Sequence, residues 1–224
     1  MIVNAFRKWK ENAGVMIIWG FIAYTAAIIL GSITYIILRP IGQTVAGSTA
    51  TTVLLLTYSI IGTVTAGAIQ RGPTTAEEIW EHLNEKWADV GIATVFAWLP
   101  FIVGLLISLA AVLYSVNSGS GAWANIGLAV FAMGWFTAMA TSVAPYIADT
   151  EGWKNAVERT WMVAREKYIT LLILALVFGV IYITYLALLP TPLGWILAVL
   201  DATLIMHIRN LAFFEVTRSV SARE

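Results

Sequence analysis

The sequence predicts an all-α integral membrane fold: six transmembrane helices set as three hairpins, each preceded by a cytoplasmic amphipathic interfacial helix, in a single membrane domain over 1–224. Three observations predict it. Hydrophobic residues make up 59% of the chain and charged residues only 12%, where a soluble domain carries about a quarter. Apolar segments recur at about 14–38, 45–69, 90–116, 123–148, 168–189 and 193–214; at about 1.5 Å per residue each is long enough to cross roughly 30 Å of hydrocarbon. The links between them alternate between tight turns and longer charged stretches. Helices follow rather than strands, because a helix satisfies its own backbone groups where lipid offers no partner.

Each span has its own character. Arg7, Lys8 and Lys10 before an apolar run imitate a signal peptide, but Gly14 to Leu38 is 25 residues long, beyond a secretory core of roughly 7–15. A retained first span is therefore expected. The second is rich in hydroxyls, and Ser59, Thr63 and Gly67 form a small-residue stripe suited to close helix packing. Pro100 predicts a kink in the third. The fourth carries Gly127, Gly134 and Ala138, again small. The links Arg39 to Thr44, Asn117 to Gly121 and Pro190 to Pro192 have the glycine and proline of turns.

Charge fixes the expected orientation. Every basic residue except Arg39 falls on the side of the termini and the long links: Arg7, Lys8, Lys10, Arg71, Lys86, Lys154, Arg159, Arg165, Lys167, Arg209, Arg218 and Arg223. The positive-inside rule then places both termini in the cytoplasm of a prokaryotic plasma membrane. No outside loop is long enough for an ectodomain. The 13 basic and 13 acidic residues cancel, so no global field draws nucleic acid. The absence of cysteine excludes disulfides, thiolate metal sites and cysteine nucleophiles.

The charged links share a pattern. Aligned on Glu11, Glu85 and Glu166, an aromatic lies five residues before each: Phe6, Trp80 and Trp161. Trp9, Leu83 or Ala164 lies two before, and Ala13, Trp87 or Tyr168 two after, which is one face of a helix. The second copy has a start signal in Pro73-Thr74-Thr75, with Glu77 and Glu78 placed for a capping box. The glutamates lie 74 and 81 residues apart, giving internal repeats at about 1–70, 74–148 and 150–218. Trp9, Trp80, Trp87, Trp161 and Tyr168 read as anchors at headgroup depth. The competing reading is a collar that docks a partner. From Arg71 to Asp89 there are two basic and five acidic residues, a balance an anionic leaflet would repel.

Pro145-Tyr146-Ile147-Ala148-Asp149-Thr150-Glu151-Gly152, followed by Asn155-Ala156, Thr160-Trp161 and Arg165, resembles the multi-pass membrane domain associated with glycerophosphodiester phosphodiesterases and related stand-alone prokaryotic membrane proteins. In that family a short helix carrying an Ala, a Ser/Thr-Trp and a basic residue leads into each hairpin. The resemblance covers about 30 residues. It implies topology and no catalytic residue, since no stretch between the spans is long enough for the phosphodiesterase barrel.

The polar residues within the spans are the remaining candidates. Asp201 lies eight positions into the sixth span among apolar neighbours, where a carboxylate costs about 2.5–3.5 kcal/mol and should find a partner. It reads either as a proton or cation site or as an acid bridging to a Ser, Thr or Tyr of another span. His207 and Arg209 follow on the same helix; Arg209 is too far along for a direct pair and is expected to snorkel. Glu78, His82 and Glu85 have a spacing that could face a divalent metal, but a solvated acidic face accounts for them and no metal is assigned. His-Glu-x-x-His, Gly-x-Ser-x-Gly and phosphate-loop motifs are missing, so neither an enzyme nor a cofactor is expected. The expected function is a non-enzymatic scaffold or accessory subunit that binds the bilayer and another membrane protein or its own copy. The alternative is a small-solute or ion transporter using Asp201. An intramembrane enzyme is third.

Overall fold

A computed structural model of the chain describes residues 1–188 and 191–221. Pro190 of the third turn and Arg223 of the basic set lie outside the described residues. The elements are all helical: α1 (Ile2–Glu11), α2 (Ala13–Leu38), α3 (Gln43–Gln70), α4 (Ala76–Ser118), α5 (Gly121–Thr141), α6 (Ala144–Glu151), α7 (Trp153–Leu188), α8 (Pro192–Leu200), a π-helical segment (Asp201–Ile205) and α9 (Met206–Ser221). Among the described residues five helices are long and apolar enough to cross a membrane: Ala13–Leu38, Gln43–Gln70, Ala76–Ser118, Gly121–Glu151 and Pro192–Val220. The chain is a multi-pass membrane protein. The expected span over 168–189 falls in α7, with Leu189 outside the described residues.

Large apolar side chains face outward along these helices. Ile36, Leu106, Val116 and Leu128 are each at least 61% exposed, and contiguous apolar surface of this kind marks contact with lipid. Inside, small residues let helices close up. A Cβ on Gly104 would lie 3.0 Å from the Cα of Gly134, so α4 and α5 touch backbone to backbone. That contact bears on Pro100. The predicted kink does not break α4, which stays one helix through the proline. One turn earlier the Thr141 hydroxyl of α5 donates to the Ala97 carbonyl at 2.9 Å, the kind of neighbouring partner that lets a membrane helix tolerate proline.

Two expectations about the charged stretches change shape. The second stretch is no separate helix: α4 has 43 residues, about 65 Å at helical rise. Roughly half of that exceeds the hydrocarbon, so its first turns, with Glu77, Glu78, Glu81 and Glu85, stand outside it. The helix begins on the expected capping box, Thr75 N–H donating to Glu78 Oε2 at 2.7 Å and Glu78 N–H to Thr75 Oγ1 at 3.3 Å. The third stretch is fused to its span too, but bends at Lys167 (φ −122°, ψ 15°). Asn12, between α1 and α2, has nearly the same backbone (φ −120°, ψ 19°). Each follows the aligned glutamate by one residue.

The fourth apolar segment also departs from the expected single rod. α5 ends at Thr141, and α6 restarts at Ala144 with Pro145 in its first turn. Proline has no N–H to continue a helix and favours a helix start. α6 then runs buried from Ala144 to Asp149 against the rest of the bundle. It ends at Gly152, whose φ of +82° is a region side chains avoid, and α7 sets off from there.

Candidate functional site

α3 is the helix on which polar groups converge. Tyr58, Gly62, Gly67 and Gln70 lie along it, and each meets a polar side chain from another element. The glycines matter because they leave room: a Cβ on Gly62 would lie 2.8 Å from Asn210 Nδ2, and one on Gly67 would lie 2.1 Å from Asp149 Oδ2. Gly62 and Gly67 of the second span are therefore sockets for its neighbours.

Asp201 is buried and accepts from the Tyr58 hydroxyl at 2.6 Å. It opens the π-helical segment, where the helix widens by one residue per turn. Three other elements clasp that segment. The Trp9 indole of α1 donates to the Thr203 carbonyl at 2.9 Å. Gly20 of α2 lies so near that a Cβ would sit 1.7 Å from the Ala202 carbonyl oxygen. Tyr58 of α3 supplies the third. The wider turn thus has its exposed carbonyl satisfied and its bulge seated on a glycine.

His207 and Arg209 make contacts of their own with α2 and α6. His207 is fully buried, turned to Gly20 of α2 and facing the backbone of Met16 and Ala202. Arg209 turns to α6 instead of snorkelling outward. Its Nε donates to Asn210 Oδ1 at 3.2 Å, and the same oxygen accepts from the Tyr146 hydroxyl at 2.9 Å. The Tyr146 ring is stacked flat on Phe213 at 5.1 Å and meets Phe214 edge-on. Beside them a cavity of about 590 Å³ opens between α3, α4, α5, α6, α7 and α9; Tyr58 and Arg209 line it and Asp201 stands behind Tyr58.

One buried pair was not foreseen as a site. His82 Nε2 and Asp149 Oδ1 lie 2.9 Å apart, both buried. They join α4 to α6 and seat on Gly67 of α3. His82 also lines a second cavity of about 350 Å³ with Arg71, Glu78, Glu81 and Glu85. The sequence had marked His82 only with its acidic neighbours. What could have flagged Asp149 is its position directly after the apolar run Pro145-Tyr146-Ile147-Ala148. Glu78 does not turn to His82. Its pKa is lowered by the Thr75 backbone N–H first and the Thr74 hydroxyl second. Among the described residues no cluster of three metal-ligating side chains comes together.

At the charged end of the bundle Lys8 reaches both Gln70 and Glu215, the latter at 2.6 Å, and Arg218 donates to the Gln70 carbonyl at 3.1 Å. Asp89 of α4 accepts from the Trp153 N–H at 3.2 Å, capping α7 from another helix. The aligned aromatics Phe6, Trp80 and Trp161 are half-exposed, at 46%, 55% and 51%. The residue before each, Ala5, Ile79 or Thr160, is fully buried. The inward face is thus shifted one residue from the aromatic stripe, which sits on its shoulder. Trp80 stacks on Trp19 at 6.4 Å, Trp87 is exposed, and the Tyr168 hydroxyl reaches the Phe136 carbonyl at 3.4 Å. No family model, curated protein or solved structure matches the chain.

Proposed function

We propose that the chain is a non-enzymatic membrane scaffold: an accessory subunit of six spans in three hairpins, its termini and charged helices in the cytoplasm, binding another membrane protein or a second copy of itself. One observation carries the reading. Four side-chain ties join helices distant in sequence: Tyr58 to Asp201, Tyr146 to Asn210 and His82 to Asp149 inside the bundle, and Lys8 to Glu215 at its charged end. Side-chain hydrogen bonds of this kind hold membrane helices together where lipid gives no hydrophobic drive between them. The product is a frame with half-exposed aromatics and an acidic collar on one end. The likeness of 145–165 to the phosphodiesterase-associated membrane domain suits a frame and brings no activity. The matching bends at Asn12 and Lys167 support the repeat.

Extraction from the native membrane in a mild detergent tests this. A membrane protein recovered in fixed ratio, or a homo-oligomer, is the expected result; a lone monomer at every detergent concentration contradicts it. Transport is the second reading, favoured by Tyr58, which lines the larger cavity while holding Asp201. Under transport Asp201→Asn abolishes flux in reconstituted vesicles with the fold intact. Under the scaffold reading wild type carries no such flux.

A further inference from the structure

The larger cavity has the shape and chemistry of a lipid site. At about 590 Å³ it is within the roughly 300–1,000 Å³ of ligand pockets. Of its described lining residues Leu55 and Trp135 are exposed, 44% and 41%, among outward-facing apolar residues, so the cleft meets the apolar outer surface there. Trp98, Phe101 and Phe178 make its inner wall apolar. Among the described residues lining it, Arg209 is the only formally charged side chain; Asp201 stands behind Tyr58 and is not in the wall. Arg209 precedes Arg218, at the charged end, by nine residues, about 13 Å along the helix.

We propose that this cleft holds one anionic phospholipid of the surrounding bilayer, with its acyl chain along the aromatic wall and its phosphate against Arg209. A guanidinium suits a phosphate, giving paired charge-assisted hydrogen bonds in a low dielectric. Ser59, Ser142 and Tyr146 add hydroxyls in the same wall. The apolar wall selects a lipid over a free anion, and the cation selects an anionic lipid over a zwitterionic one. The site stands independently of the scaffold reading.

The test is native mass spectrometry of the delipidated full chain offered equimolar phosphatidylglycerol and phosphatidylcholine with identical acyl chains. One phosphatidylglycerol should be retained, preferred on the order of tenfold. Arg209→Gln should remove the preference and Arg209→Lys should keep most of it. In wild type, a phosphatidylglycerol with a diazirine on its acyl chain should label 94–101 and 135–142, and unlabelled phosphatidylcholine should not compete. The second readout decides the matter if the Arg209 variants do not fold. Equal retention of both lipids, an unchanged preference in Arg209→Gln, or labelling confined to residues outside 94–101 and 135–142 overturns the proposal.

Discussion

At the residue scale, the glycines of α2 and α3 do more for the fold than its charges. Gly20 faces a backbone oxygen that cannot swing away, so Gly20→Ala forces α2 and the π-helical segment apart. A loss of about 1–3 kcal/mol or more is expected, as for overpacked cores, read as a lowered unfolding midpoint in detergent. Gly47→Ala is the control: nothing lies within 4 Å, so the gain in helix propensity, up to about 1 kcal/mol, is kept. Tyr58→Phe leaves the Asp201 carboxylate buried without that donor and should cost about 1–3 kcal/mol. Asp201→Asn keeps an acceptor for Tyr58 and should cost less. Equal stability of Tyr58→Phe and wild type would remove this tie from the account.

Residues of this kind differ in how far a sequence displays them. Asp201 is conspicuous because a carboxylate in an apolar run is expensive, and that expense also predicts a partner. The expected choice of Ser, Thr or Tyr includes the one found. Gly67 and Asp149 are 82 residues apart, and neither is unusual in its own surroundings; only the folded contact joins them. Arg209 was expected outward by the general habit of long cations, and local sequence says nothing of Tyr146, 63 residues earlier, waiting inside.

At the element scale, α4 and α7 depend on their starts. Thr75→Ala removes the cap of α4 and should cost about 1 kcal/mol. Glu78 gives the cap a pH dependence. Its folded pKa is lowered, so its contribution is complete above the usual carboxylate range and is lost as pH falls through the lowered value. Glu78→Gln preserves the capping box and should flatten this acid loss, measured as unfolding midpoint against pH from neutral to acid. A variant as acid-sensitive as wild type would contradict it. For α7 the cap is borrowed, since Asp89 belongs to α4. Asp89→Ala should increase hydrogen exchange in the first turn of α7 while leaving α4 protected.

Helix boundaries were legible where they are written in local chemistry, as in the capping box at Thr75, and less so elsewhere. The restart at Ala144 was signalled by Pro145 but masked by unbroken hydrophobicity across 123–148. The π-helical segment left no mark in composition, because it is set by Gly20, Trp9 and Tyr58 from three other elements. At Pro100 the neighbouring Thr141 supplies the Ala97 carbonyl with a partner that a single-helix reading does not see.

At the scale of the whole molecule, hydropathy determines the membrane class, and the alternation of turns and charged stretches is the basis of the proposed hairpins. Five of the spans stand out by length and composition. The interior then joins the helices through a few buried polar pairs arranged along α3, with a lateral cleft beside them. A bundle so tied is suited to present fixed surfaces, which is what a scaffold requires. The most direct measurement is the mass of particles taken from the native membrane straight into polymer-bounded lipid discs, counted one by one. The scaffold account predicts a discrete heavier species holding the 24.4 kDa chain in fixed ratio with a partner or with copies of itself. A single population containing one chain and lipid alone would contradict it.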